Sequence, residues 1–343
     1  MKRPTITDIA KEAGVSKGAV SYALNGRPGV SHATRTRILA IAEQLGWGPS
    51  SAARALSDGK AGAIGMVIDR PADVLGVEPF FMRLIAGIQN ELGSGPTSLL
   101  LQVAPDHDTE LGIHRRWHAE RRVDGVLLVD LRVDDERLDA VTAIGMPAVV
   151  LGGPLDRSDL PSAWTDDGAA VGEVLDYLAA LGHRRVVHVA GPPEFLHTRV
   201  RTEAFVAAAR RLDLTEARTV HTDYTDESGA SAARRVLVSG EPPTALIFDN
   251  DVMAVAALGA VQELGLSVPG DVSFVAWDDS VLCRLVRPAL TAVRRPVADY
   301  GALAASMLQR LIAGEDVQDA GTTALMLVTR ASSGAVPRPG NRR

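Results

Sequence analysis

Thr5-Ile6-Thr7-Asp8-Ile9-Ala10-Lys11-Glu12-Ala13-Gly14-Val15-Ser16 is the stretch on which the reading of the whole chain turns. Thr5 with an acidic residue three positions on is a helix-start pattern, in which hydroxyl and carboxylate take up backbone amides that have no partner in the first turn. The helix is expected to run to about Ala13 and to turn at Gly14. Ser16 then caps a second helix reaching about Asn25, with Val20 and Leu24 one turn apart and facing inward. Asn25-Gly26-Arg27-Pro28-Gly29 has loop chemistry. Ser31 caps a third helix, where Ile38, Ile41, Ala42 and Leu45 repeat at helical spacing and Gly46 sits at the C-terminal stop. Three short helices with one apolar stripe each predict a small helical unit over residues 1–48.

Beyond Pro49, the stretch Ser50–Leu56 is made of good helix formers but spans only about two turns, too short to persist alone in water. Residues 49–60 are read as a hinge helix and linker. From Ala63 short apolar runs alternate with amphipathic stretches. Strands are expected at Ile64–Ile68, Ser98–Val103, Gly125–Val129, Ala148–Leu151, Arg185–Ala190, Thr219–His221, Ala245–Phe248 and Val272–Ala276, with a helix after each. Such alternation predicts an α/β body of parallel sheets with helices on both faces. Its length, 61–334, suits two lobes better than one. The Pro- and Arg-containing tail, 335–343, is expected to be disordered.

Bulk properties narrow the function. Net charge is −6, but the first 60 residues hold nine Lys or Arg against four Asp or Glu, giving +5 and leaving −11 on the rest. A basic head on an acidic body confines phosphate attraction to one end. No run of about 18 apolar residues is present, so no membrane partner is expected. Met1-Lys2-Arg3-Pro4-Thr5 lacks the apolar core of a secretory signal, which points to the cytoplasm. The one cysteine, Cys283, cannot form an intrachain disulfide and reads as a packing residue.

The head from Thr5 to Ser16, then Val20-Ser21, Leu24-Asn25-Gly26, Val30-Ser31, Thr34-Arg35 and Leu45-Gly46, closely resembles the head of the lactose/galactose-repressor (LacI) family. The body continues the resemblance with Val123-Asp124-Gly125-Val126, Leu181-Gly182-His183-Arg184-Arg185, Asn250-Asp251 and Val268-Pro269-Gly270-Asp271-Val272-Ser273. It spans Thr5 to Arg330, with the motifs in the family's order. The resemblance implies a homodimeric, ligand-responsive repressor of double-stranded operator DNA. It also implies a periplasmic-binding-protein-like body: lobe 1 from about 61–164 and 295–321, lobe 2 from about 165–292 and 322–334, with three crossovers and an interlobe ligand cleft.

A helix-turn-helix lays its second helix in the major groove. By resemblance Lys17, Gly18 and Tyr22 occupy base-reading positions, although Gly18 brings no functional group where polar side chains are usual. Thr5, Ser16, Ser21, Asn25, Ser31 and Arg35 are phosphate-contact candidates. Ser16 and Ser31 act as caps, as phosphate contacts, or as both. Leu56 matches the family's minor-groove wedge and Ala53 the small residue beside it; Ser50 stands where the family commonly has Asn.

Ligand contacts are expected where strand C-termini of both lobes converge. Asp69, Arg70, Asp130, Asn250, Asp251 and Asp278 follow strands, Asp251 reading better as a helix cap. Phe80, Arg201, Asn250 and Asp278 match family pocket positions. Trp164 and Trp277, like Phe80, are either core or ligand contacts. The effector implied is a carbohydrate, with purine-like or phosphorylated metabolites as alternatives. A solute-binding protein would share the body but not the basic head. No GxGxxG, Walker, GxSxG or HExxH pattern and no cysteine cluster is present, so neither catalysis, cofactor nor metal is expected.

Overall fold

The computed structural model describes residues 4–47, 59–70, 72–93, 95–155 and 159–336, and for Ala72 and Asp73 the backbone alone. The chain divides into two compact units, 1–61 and 62–343.

The first unit holds α1 (Ile6–Ala13), α2 (Lys17–Leu24) and α3 (His32–Gln44). Thr5 and Asp8 form the reciprocal cap, and Ser16 and Ser31 accept the amides of Ala19 and Thr34. Gly46 has φ +62° and closes α3, with the Trp47 amide donating to Ala42 O at 2.8 Å. Ile9, Val20 and Ile38, each fully buried, meet Ala10, Ala13, Ala23 and Ala42 in the core. Leu45, expected on the inward stripe, is 38% exposed because the helix has already ended there. The expected hinge helix, with Ala53 and Leu56, lies outside the described residues.

The second unit has two six-stranded sheets. In the first, β1 (Ala63–Asp69), β2 (Ser98–Ala104), β3 (Gly125–Leu128), β4 (Ala148–Leu151), β5 (Ser162–Trp164) and β11 (Ala320–Gly321) run parallel in the order β11-β5-β4-β3-β1-β2. In the second, β6 (Arg185–Ala190), β7 (Glu216–His221), β8 (Ala245–Phe248), β9 (Ser273–Trp277) and β10 (Thr291–Arg294) are parallel, and β12 (Met326–Val328) pairs antiparallel with β10, giving β12-β10-β9-β8-β6-β7. The chain therefore passes between lobes three times, after β5, after β10 and after β11. β5, β10, β11 and β12 escaped the sequence reading because each is short and either interrupted by polar residues, as in Thr291–Arg294, or under four residues, so that no apolar block stands out as it does in β4 and β8.

Helices cover both sheets: α4 (Ala72–Val77), α5 (Pro79–Leu92), α6 (His107–Ala119), α7 (Glu136–Ala143) and α13 (Val297–Ile312) on lobe 1, and α8 (Asp167–Ala180), α9 (Leu196–Arg211), α10 (Asp226–Leu237), α11 (Asp251–Glu263) and α12 (Val281–Leu285) on lobe 2. Strands such as Ala148–Leu151 and Ala245–Phe248 are buried along their whole length, as sheets covered on both faces require. α5 and α13 touch backbone to backbone, since a Cβ on Gly87 would lie 1.8 Å from Ala298 O and one on Gly301 2.3 Å from Leu84 O. Ala335 and Val336, expected in a disordered tail, are instead placed, the Val336 amide donating to Leu181 O at 3.0 Å; residues 337–343 of that tail lie outside the described residues.

Candidate functional site

Two places carry chemistry. In the head, Lys17, Gly18 and Tyr22 are exposed on α2, while Val20 and Ala23 of the same helix are buried. A Cβ on Gly18 would find only Ser16 Oγ, at 3.8 Å, so that position is open space. The Tyr22 ring rests on the loop: a Cβ on Gly29, whose φ is +113°, would come within 3.2 Å of it. Glycine at 29 thus lets the loop both turn and approach the ring. Among the expected phosphate contacts, Asn25 Nδ2 donates to Ser21 Oγ at 3.4 Å, and the Arg35 guanidinium donates to Arg27 O. Thr5, Ser16 and Ser31 all spend an oxygen on capping.

The second place is a cleft between the lobes, enclosing about 830 Å³ of space that is partly open to solvent. Arg70 and Asp130 enter it from the ends of β1 and β3, Asp249 and Asp278 from the ends of β8 and β9, and Arg295 from the second crossing. Arg201 is buried at its centre. Its Nε lies 2.7 Å from Asp167, its Nη1 3.3 Å from Asp249, and its guanidinium 4.6 Å from the Trp277 ring centroid. Arg295 reaches Asp167 at 2.9 Å and stands 3.2 Å from Asp278 without hydrogen-bond alignment. Arg70 pairs with Asp130 at 2.9 Å and stacks on Phe195 and Tyr224, at 4.3 and 4.8 Å.

Burial opposes ionisation of Asp167, but Arg295 and Arg201 outweigh it and hold the carboxyl well below the usual range. Asp249 is held low likewise against burial by His188 and Arg201. Glu78 goes the other way. Burial pushes it up to about 8, more than Arg70 pulls it down, and its Oε2 has no hydrogen-bond partner among the described residues. Burial, then Arg201, lowers the His197 imidazole to about 4; its Nε2 meets Tyr224 Oη at 2.7 Å.

Of the residues singled out in the sequence, Phe80, Asp130, Arg201 and Asp278 line the cleft together, with Arg70. Asp69, Asn250 and Trp277 are not among the lining residues, and Trp164 lines an adjoining, more open pocket that shares Leu131, Thr165, Asp167 and Leu196 with the cleft. Asp69 pairs with Arg132 at 2.7 Å, because successive residues of β1 point to opposite faces and it is Arg70 that faces inward. Trp164 packs at the edge of lobe 1, its ring 3.1 Å from where a Gly321 Cβ would be. Trp277 is fully buried beneath Arg201. Asn250, rather than Asp251, caps α11: it accepts the Met253 amide and donates to Tyr224 O at 3.1 Å. Asp251 instead takes the Ser280 amide at 3.1 Å. Asp278 and Asp279 sit in a left-handed turn, φ +73° and +45°, and their carboxylates diverge, Asp279 going to Arg294 and Arg330. Glu78, Asp167, Asp249 and Arg295 were missed. Asp249 lies one residue past β8, whose bounds match the expected strand, so the strand-end rule applied to it as it did to Asn250. Arg295 had no signal, because the strand that delivers it was invisible.

A basic three-helix head and a two-lobed body with a polar, aromatic-walled cleft define a DNA-binding regulator that responds to a small molecule. Residues 5–50 match the family described as bacterial regulatory proteins, lacI family, and residues 175–333 match the periplasmic binding protein-like domain. The transcriptional regulator MalR of Streptomyces coelicolor is 33% identical over 97% of this chain and 97% of its own length. The lac repressor dimer bound to operator and the anti-inducer ONPF superposes with TM-score 0.86 at 25% identity, covering 97% of this chain and all of that one. The complex of the transcriptional regulator CelR with cellobiose gives 0.73 at 26%, over 96% of this chain and all of that one. The chain belongs to the LacI family of transcriptional regulators. Among the described residues no helix is long and apolar enough to cross a membrane.

Proposed function

We propose that the chain is a homodimeric repressor, working in the cytoplasm without catalysis, whose affinity for a pseudo-palindromic operator is set by a neutral carbohydrate in the interlobe cleft. Lys17, Gly18 and Tyr22 face base edges, and Thr5, Ser16, Ser21, Asn25, Ser31 and Arg35 position the head on phosphates. The hinge segment with Ala53 and Leu56 engages the minor groove. Exposed apolar side chains support the dimer: Met82 on α5, Leu101 and Val103 on the edge strand β2, and Leu285 on α12, between 42% and 70% exposed in the single chain.

One observation carries the choice of effector. Among the described lining residues four carboxylates (Asp130, Asp167, Asp249 and Asp278) and Glu78, which burial keeps protonated at neutral pH, face three guanidinium groups, and each guanidinium is already engaged by a carboxylate. Acceptors are left over, which suits the hydroxyl donors of a sugar, with Phe80 as an apolar wall. A phosphate or carboxylate ligand would meet like charge. The cellobiose bound by CelR agrees with this choice.

The experiment compares the intact chain with one starting at Ala61 in gel shifts on a palindromic promoter library, alongside a thermal-shift panel of neutral sugars, sugar phosphates and uronates. Specific binding is expected only from the intact chain, and stabilisation only from neutral sugars. Unchanged DNA binding by the truncated chain sinks the first half, and stabilisation by phosphorylated ligands alone sinks the second.

A further inference from the structure

Outside the cleft, one face of α6 gathers groups that the regulatory reading does not use. His107, Glu110 and His114 stand at i, i+3 and i+7 and so share one side of the helix. Glu110 and His114 are each 1% exposed. Glu110 Oε2, His107 Nδ1 and both ring nitrogens of His114 have no hydrogen-bond partner among the described residues. Leaving a buried polar group unpaired costs about 1–3 kcal/mol, so Glu110 Oε2 and His107 Nδ1 call for an occupant, His114 standing outside the group that Asp69 joins. The end of β1 brings Asp69 to the same place. Ligand-capable atoms of Asp69, His107 and Glu110 all lie within 4.8 Å of one another.

We propose that Asp69, His107 and Glu110 bind a divalent transition-metal ion of the zinc type in lobe 1. An imidazole with two carboxylates is a donor set for zinc, manganese or iron rather than for calcium or magnesium. Bonds of about 2.0–2.2 Å place tetrahedral ligand atoms about 3.3 Å apart, so the set must contract by an ångström or so. Asp69 and His107 are only half-buried, which leaves room for that rotation and a path for entry. Glu110, the buried member, supplies the fixed oxygen.

Two arginines bear on the site. Arg137 holds Glu110 Oε1 at 2.7 Å, but Asp135 neutralises it at 2.6 Å. Arg132, 28% exposed, holds Asp69 at 2.7 Å. Asp69, Asp135 and an ionised Glu110 against these two guanidinium groups leave a net charge of −1, which attracts a cation. The ion competes with Arg132 for Asp69, and that competition reaches the other lobe. The Arg132 backbone pairs with Phe195, its guanidinium lies 5.5 Å from that ring, and the neighbouring Val133 amide donates to Glu194 O at 2.8 Å. Occupancy therefore frees a side chain at an interlobe contact.

The test uses the full chain, stripped with EDTA and titrated by calorimetry with zinc chloride, and with Co²⁺ for its visible absorption. One ion per chain is expected at micromolar affinity or better. His107→Ala should weaken it by at least about tenfold, the least that disturbing a metal's surroundings costs. Arg132→Gln should strengthen it by removing the competitor. Because Glu110→Gln disturbs a buried ion pair and risks misfolding, these two surface-accessible changes decide the matter. Sub-stoichiometric or millimolar binding, or zinc affinity unchanged in both variants, overturns the proposal and leaves buried water as the occupant.

Discussion

Arg201→Ala tests the ionic centre of the cleft. The side chain is 3% exposed and engages Asp167 at 2.7 Å, Asp249 Oδ1 at 3.3 Å and Asp249 O at 3.2 Å. Removing one partner of a buried ion pair costs about 3–5 kcal/mol. Here each carboxylate keeps company: Asp167 has Arg295 at 2.9 Å and Thr165 at 2.6 Å, and Asp249 has His188 at 2.9 Å and the Gly191 amide at 3.0 Å. The loss should fall at the low end, about 3 kcal/mol. Urea unfolding followed by far-UV circular dichroism reads the loss. Both carboxylates are held below their ordinary value of 3.8 in the folded chain. The stability they confer is therefore present above that value and is lost as pH falls through the folded value. The gap between the parent chain and the variant should be full at pH 7 and should narrow below about pH 4. A loss under about 1 kcal/mol, or a gap unchanged down to pH 3, would refute the argument that these charges depend on Arg201.

Gly87→Ala should lower the melting temperature markedly, because its Cβ would meet Ala298 O at 1.8 Å and the two helices must separate. Gly259→Ala, in the open on α11, should instead stabilise by about 0.5–1 kcal/mol; equal effects in calorimetry would contradict the packing account. Gly18→Ala should stabilise the head by a similar amount, since its Cβ enters open space, and should alter preference at one base pair per half-site. An unaltered binding-site logo would remove position 18 from the reading surface. Glu78 is raised from 4.5 to about 8, so the folded chain holds a proton there that the unfolded chain releases, and stability falls as pH climbs between those values. Glu78→Gln should abolish that slope, and parallel melting-temperature profiles from pH 5 to 8 would show that it carries none.

The head was legible almost residue by residue because its signals are local: a hydroxyl three residues from the amide it caps, a glycine where the chain turns left-handed. The long helices and fully buried strands were legible for the same reason, since a period of 3.6 or a block of four apolar residues needs no partner to be seen. The cleft was legible only in part. Phe80, Asp130, Arg201 and Asp278 were found, Arg201 and Phe80 through family resemblance, Asp130 as a residue after a strand, and Asp278 by both. Asp69 and Arg70 show the limit of the strand-end rule. Both follow from the same apolar run, and only the pleat decides that Arg70 faces the ligand space while Asp69 faces Arg132. Asp167 and Arg295 sit beside crossings whose strands are too short to announce themselves.

Those two residues also explain why a ligand in this cleft acts on the relation between the lobes. Asp167 opens the first helix after one crossing and Arg295 lies on the next, and they are bonded to each other at 2.9 Å, while Arg201 ties Asp167 to Asp249 at the end of β8. Arg83 of lobe 1 donates to Asp278 O of lobe 2 at 2.9 Å, close to the Arg295–Asp278 approach. The polar groups that a ligand must satisfy are thus the groups that join the lobes. Exchanging a single charge-assisted hydrogen bond in that network is worth about 1.5–3 kcal/mol. A coupling of about 1–3 kcal/mol already changes a distant affinity some 5- to 150-fold. Control of DNA binding therefore requires no large rearrangement of the cleft, only that a ligand hydroxyl replace one partner of Asp167 or Asp278 in one lobe arrangement and not in the other.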